Sequence, residues 1–142
     1  MNDESSGYER WLTIRVTRGR VWDAIGTVDG PRQWWTTRVT GSAATGDELS
    51  FGFAGLTEQM VMRVVESRRP ATVRWQCIAH TRDDEWTGTR LSFELSDSGS
   101  QACELTFRHA GIASSVVAEG WVHFLDSLAA YAETGTGTPF GG

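Results

Sequence analysis

Residues 116–131 read VVAEGWVHFLDSLAAY, and this stretch decides the fold. Large apolar side chains recur there every three or four positions, which is the period of one helical face. That face consists of Val117, Trp121, Phe124, Leu125, Leu128 and Tyr131. The opposite face is small or polar and consists of Glu119, Gly120, His123, Asp126, Ser127 and Ala130. A single long helix of this kind needs an apolar surface to cover, and the preceding strands are the only candidate in the sequence.

The segments before this helix are mostly strands, because their apolar residues alternate with polar ones. The predicted strands span residues 9–17, 38–42, 47–54, 57–67, 72–79, 86–96 and 101–109. Two short helices, at residues 21–25 and 29–35, interrupt them after the first strand. The order predicts an α+β protein, with an antiparallel sheet of six to seven strands packed on the C-terminal helix.

Composition limits the functions to consider. The 142 residues, with 39% hydrophobic and 11% aromatic content, suffice for one core, so we expect one domain over residues 1–142, with flexible ends at 1–7 and 135–142. The net charge of −5 gives no cationic surface for nucleic acid. All 13 basic residues are arginine, which excludes Schiff-base chemistry and a P-loop lysine.

Localisation and cysteine chemistry are also constrained. The sequence contains no apolar run long enough for a membrane span and no secretory leader, so we expect a cytoplasmic protein. Cys77 and Cys103 fall on predicted strands separated by one other strand, about 10 Å apart at ~4.8 Å per strand, which is too far for a disulfide. We therefore expect two buried thiols.

Three stretches resemble a known family. They are VWDAIGTVDGPRQWW (residues 21–35), LTFRHAGI (105–112) and GWVHFLDSLAAYAETGTGTPF (120–140), which in this order are similar to the activator-of-Hsp90-ATPase-like branch of the START-like (SRPBCC) superfamily. The resemblance covers nearly the whole chain. It implies a helix-grip fold, in which the sheet wraps the C-terminal helix and encloses a deep, mostly apolar pocket. One departure is residues 17–20, TRGR, where members often carry a proline and an acidic residue.

Strand alternation selects the side chains that would face such a pocket. The strand at 57–67 is ambiguous, and we place Met60, Met62 and Val64 inward, because the other register would bury Arg63. An inward aromatic residue is more often simple packing than a ligand contact, so the pocket itself rests on the resemblance. The candidate ligand-binding residues are Trp34, Phe51, Phe53, Met60, Met62, Trp75, Trp86, Phe93, Phe107, His109, Val117 and Trp121.

Histidine is the residue type that offers chemistry. His80 begins a polar loop and His123 lies on the polar helix face, so both are expected in solvent. His109 ends an inward-facing strand beside Ala110 and Gly111, and two interpretations stay open. It contacts the ligand, with a role as acid or base if the protein is an enzyme, or it makes a structural hydrogen bond.

The sequence contains no serine-nucleophile elbow, zinc-protease motif, paired CxxC or nucleotide-binding glycine pattern, so no metal and no cofactor are predicted. We expect a binding protein for a small hydrophobic or aromatic molecule rather than an enzyme. The resemblance leaves two alternatives. One is an enzyme like the polyketide cyclases and aromatases, and the other is an Hsp90 co-chaperone, which is weaker because the additional N-terminal domain of such activators is not found here. A homodimer remains open.

Overall fold

A computed structural model describes residues 7–81 and 85–141. Its elements, in chain order, are β1 (Gly7–Ile14), α1 (Arg18–Ile25), α2 (Asp29–Trp34), β2 (Arg38–Gly41), β3 (Glu48–Gly52), β4 (Gln59–Arg68), β5 (Thr72–His80), β6 (Arg90–Asp97), β7 (Cys103–Ala110) and α3 (Ser115–Thr134). The strands form one antiparallel sheet in the order β1-β7-β6-β5-β4-β3-β2. The predicted α+β helix-grip architecture is confirmed, with the long C-terminal helix and two short helices after the first strand.

Helix α3 begins and ends at recognisable caps. The side chain of Ser114 accepts a hydrogen bond from the backbone N–H of Val117 at 3.4 Å. Gly135, with φ of 88°, ends the helix in the left-handed conformation that glycine adopts without strain. The predicted apolar face is buried at Trp121, Leu125 and Leu128. Burial of these side chains against the sheet therefore fixes the helix in place.

The inward face of the sheet follows the predicted alternation. On β7, for example, Cys103, Leu105, Phe107 and His109 are all buried. The methionine register of β4 is confirmed, because Met60, Met62 and Val64 are at most 3% exposed. Arg63 lies on the outer face, 3.4 Å from the carboxylate of Glu48. Cys77 and Cys103 are free and buried, as expected.

Two predicted boundaries and one side-chain position need correction. The strand predicted over 86–96 begins only at Arg90, because residues 86–89 form a turn in which the Thr89 side chain donates to the Trp86 carbonyl at 2.6 Å. The strand predicted over 9–17 ends at Ile14. On α3, Ser127 is 3% exposed although we placed it on the small or polar face.

Both ends of the chain contact the domain where the structure describes them. Gly7 belongs to β1 and pairs with Ala110, whereas the rest of the predicted flexible N-terminal segment, 1–6, and residue 142 lie outside the described residues. Residues 135–141 run back along the domain. The Phe140 N–H donates to the Trp35 carbonyl at 2.8 Å, and the Thr138 N–H donates to the Ser127 hydroxyl at 2.7 Å. This C-terminal segment therefore packs on the domain.

Among the described residues, no helix is both long and apolar enough to span a bilayer.

Candidate functional site

The space between the sheet and α3 is largely filled by aromatic side chains. Ring centroids lie 4.5 Å apart for Phe107 and Trp121, 4.6 Å for Trp35 and Phe51, and 5.0 Å for Phe93 and Phe107. Seven of the candidate ligand-binding residues lie in this packed interior: Trp34, Phe51, Met62, Trp75, Phe93, Phe107 and His109. None of them lines the pocket described next. The interior is thus a core rather than a deep cavity.

A pocket of about 210 Å³ opens at one end of the grip. It lies where the first half of α3 meets the β3–β4 connection, the end of β5 and the turn that carries Trp86. Its lining residues are Trp35, Phe53, Glu58, Met60, His80, Trp86, Val117, Gly120, Trp121 and Phe124. We call it the mouth pocket. Its walls are mainly aromatic, with a carboxylate and an imidazole among them.

Five of the candidate residues meet in the mouth pocket: Phe53, Met60, Trp86, Val117 and Trp121. Five other lining residues were missed: Trp35, Glu58, His80, Gly120 and Phe124. Phe124 belongs to the apolar stripe of α3, so the sequence did carry a signal for it. Trp35 caps the C-terminal end of α2, where neither helical nor strand periodicity says which way a side chain points.

His80 was missed because we placed it at the start of a polar loop, whereas it is the last residue of β5 and lies beyond a β-bulge. The strands β4 and β5 pair Val61 with Ala79 but Met62 with Cys77, so Ile78 is an extra residue on β5. Strict alternation from Cys77 would send His80 outward, into solvent. The extra residue reverses the alternation and sets His80 opposite the inward-facing Met60. His80 is half-buried, with its ring centroid 5.8 Å from that of Trp86, so the solvent prediction for it was wrong.

His109 lies beneath the mouth pocket in a chain of hydrogen bonds. The indole N–H of Trp121 donates to His109 Nδ1 at 3.0 Å, and His109 Nε2 lies 2.9 Å from Thr89 Oγ1. An indole can only donate, so Nδ1 is the acceptor and Nε2 carries the proton. Thr89 in turn donates to the Trp86 carbonyl at 2.6 Å. We call this chain the His109 relay.

Burial keeps the relay neutral. The side chain of His109 is 0% exposed, and this burial lowers its pKa from 6.5 to about 4. Both ring nitrogens already have partners, which leaves neither one available to a ligand. What the imidazole does is hold the Trp121 indole and, through Thr89, the turn of Trp86. These are two walls of the mouth pocket.

A larger depression, of about 430 Å³, lies on the outer face of the sheet. It is lined mainly by charged and polar residues that alternate with the core, such as Arg74, Glu94 and Thr106. Arg74 already contacts the carboxylates of Glu66 and Glu94, each at 3.4 Å. Because these side chains are solvated and paired with one another, the smaller aromatic pocket is the better ligand site.

Within the part of the chain that the structure describes, no group of three or more histidine, cysteine, aspartate or glutamate residues could hold a metal ion.

Comparison with known proteins identifies the family. The model of a family described as "Activator of Hsp90 ATPase homolog 1-like protein" matches residues 15–133. The Aha1 dimer from Colwellia psychrerythraea, a solution structure, is 26% identical with a TM-score of 0.78, over 92% of this chain and 98% of that chain. A search of curated proteins gave no match.

Two further solved structures share the fold at lower identity. DynU16, a putative protein in the dynemicin biosynthetic locus, is 20% identical with a TM-score of 0.74, over 93% of this chain and 49% of that chain. CalU16 from Micromonospora echinospora is 16% identical with a TM-score of 0.69, over 87% of this chain and 71% of that one. The family match spans most of the sequence, and the solved structures have the same fold. The chain therefore belongs to the activator of Hsp90 ATPase homolog 1-like family.

Proposed function

We propose that the protein binds a compact, mainly apolar molecule in the mouth pocket. The observation that carries this proposal is an opening walled by aromatic side chains at the end of an otherwise filled interior. Ligand pockets in proteins are typically apolar and concave, with a few polar groups that orient the ligand. Glu58 and His80 are such groups here.

The size of the mouth pocket restricts the ligand. Its volume of about 210 Å³ is below the roughly 300–1,000 Å³ of pockets for drug-sized molecules. It exceeds the engineered apolar cavity of about 150 Å³ that binds benzene. A molecule with one ring, or of similar bulk, therefore fits, whereas a lipid chain would require the aromatic core to move.

The geometry of the His109 relay supports binding rather than catalysis by this histidine. A general acid or base must reach the proton that it transfers, and both nitrogens of His109 are engaged inside the protein. Its lowered pKa of about 4 also keeps it neutral near pH 7. DynU16 and CalU16, at 20% and 16% identity, support the shared fold but no reaction.

The family match supports a second candidate, an interaction with an Hsp90-type ATPase. Its test is whether the protein changes the ATPase rate of such a chaperone.

We also propose a homodimer, because the Colwellia psychrerythraea relative was solved as a dimer. Light scattering after size exclusion would detect it. A cytoplasmic location is consistent with the two free cysteines.

Gly120 allows a direct test of the mouth pocket. It lines the pocket, and a Cβ added there would meet nothing within 4 Å. We therefore expect Gly120→Leu to fill the pocket while leaving the fold intact, since leucine also has a better helix propensity than glycine. Ala130→Leu, on the exposed face of the same helix, is the matched control.

The readout is NMR of the indole N–H groups during a titration with benzyl alcohol. Signals from Trp35, Trp86 and Trp121 should shift, because these side chains line the pocket. Trp22, whose indole donates to the backbone carbonyl of Thr72 and does not line the pocket, serves as the internal reference. Gly120→Leu should abolish the shifts and Ala130→Leu should preserve them. Unchanged binding in Gly120→Leu would exclude the mouth pocket as the site.

A further inference from the structure

We propose that the ligand of the mouth pocket carries a compact positive charge, as a protonated amine or a methylated ammonium group does. This inference rests on the proposed ligand-binding function and specifies the chemical class of the ligand. Two features of the pocket support it, namely the arrangement of its indole rings and the sign of the charge on its lining.

The first feature is a curved indole wall. Trp121 lies between Trp35 and Trp86, with ring centroids 5.1 Å and 6.3 Å away. The planes of these two rings are inclined to that of Trp121 by 47° and 46°. All three indoles line the mouth pocket, so a small group bound there can contact more than one of them. Indole is the aromatic ring that attracts cations most strongly, within about 6 Å of its centroid.

The second feature is the charge of the lining. Glu58 supplies a carboxylate and His80 an imidazole, and no arginine is found among the described lining residues, although the chain has 13 basic residues. Glu58 comes just before β4, and it lines the pocket together with Met60, the second residue of that strand. Glu58 already has a contact within the protein. A carboxylate offers about four acceptor sites, however, so it can receive a further donor from a ligand.

The two features act on the same part of a ligand. An ammonium group between the indoles and Glu58 would gain both ring attraction and a charge-assisted hydrogen bond. An anion would meet the carboxylate and the negative faces of the rings. The net charge of −5 adds a weaker negative potential, which also attracts a cation and repels an anion. The pocket therefore favours a cation over a neutral molecule of equal size, and a neutral molecule over an anion.

Benzylammonium, benzyl alcohol and benzoate test this order at neutral pH, because they share one ring and differ mainly in charge. Their dissociation constants would be measured from the indole N–H shifts of the pocket tryptophans. We expect benzylammonium to bind about tenfold more tightly than benzyl alcohol, as one charge-assisted contact would give. Benzoate should bind more weakly than either. The preference should shrink with added salt, because an accessible charge is screened.

Glu58→Gln keeps the size of the side chain and removes its charge. It should reduce the preference for benzylammonium over benzyl alcohol, with both compounds measured on the same variant, to about threefold, which is the part that the rings alone supply. Glu48→Gln is the matched control, since Glu48 pairs with Arg63 on the outer face of the sheet and should leave the preference unchanged.

The outcomes separate the two proposals. If benzyl alcohol binds as tightly as benzylammonium, the pocket is real and the inference of a cationic ligand is wrong. If Glu58→Gln and Glu48→Gln both retain the full preference, the role given to Glu58 is overturned. If none of the three compounds shifts the pocket indoles, the proposed function fails and the inference fails with it.

Discussion

Replacing His109 with glutamine should change how the stability of the protein depends on pH. Burial lowers the pKa of His109 from 6.5 to about 4 in the folded protein. In the unfolded chain it returns to about 6.5. Between these values the unfolded chain binds a proton that the folded protein does not. The free energy of unfolding therefore falls as the pH drops through this window.

The size of the effect follows from the two pKa values. Linkage gives a loss of about 2.5 kcal/mol at pH ~4.5 and about 0.2 kcal/mol at pH ~7. Glutamine does not titrate, so His109→Gln escapes this loss. The variant should be less stable at neutral pH, because the His109 relay is disturbed. Its stability deficit should then shrink by roughly 2 kcal/mol on going to about pH 4.5.

Urea unfolding followed by circular dichroism, at the two pH values and constant ionic strength, measures this change. Only the difference between wild type and variant matters, because their shared carboxylates contribute equally to both. A deficit that is the same at both pH values would refute the reasoning. It would mean that His109 binds a proton as readily in the folded protein as in the unfolded chain. In that case Nδ1 would not remain the acceptor of the Trp121 hydrogen bond over this pH range.

Four further outcomes are expected. Trp121→Ala should cost about 3–5 kcal/mol in urea unfolding and abolish benzyl alcohol binding, because it opens a cavity and removes a pocket wall. Ser127→Ala should cost about 1 kcal/mol, since Ser127 accepts the N–H of Thr138. Phe140→Ala should weaken benzyl alcohol binding, because the Phe140 ring packs 5.5 Å from that of Phe53. Hydrogen exchange should be faster at residues 26–30, a helical corner, than at residues 73–77 in a central strand; equal rates would contradict this.

The fold could be predicted because its signals are periodic and extend over long segments. The apolar stripe of α3 and the alternation along the strands depend only on which side chains leave water. They can therefore be recognised in the sequence without knowing which side chains contact each other. The register of β4 is an example. The cost of burying Arg63 was sufficient to place Met60 and Met62 on the inner face, where the structure has them.

The mouth pocket was harder to predict because it depends on local departures from periodicity. One extra residue at Ile78 turns His80 inward, and no propensity rule locates a bulge in a continuous strand. Alternation also cannot distinguish a side chain that packs from one that borders empty space. Phe51 and Phe53 have the same parity, yet Phe51 is fully buried and Phe53 lines the pocket.

The walls of the mouth pocket are held by residues that lie outside it. From the interior, the His109 relay orients Trp121 and the turn of Trp86. From the exterior, the backbone N–H of Phe140 donates to the backbone carbonyl of Trp35, and the Phe140 ring packs on Phe53. Ligand affinity should therefore respond to changes at positions that no ligand touches. Because preorganised walls spare a ligand the cost of ordering them, such changes should weaken binding even where the fold is kept.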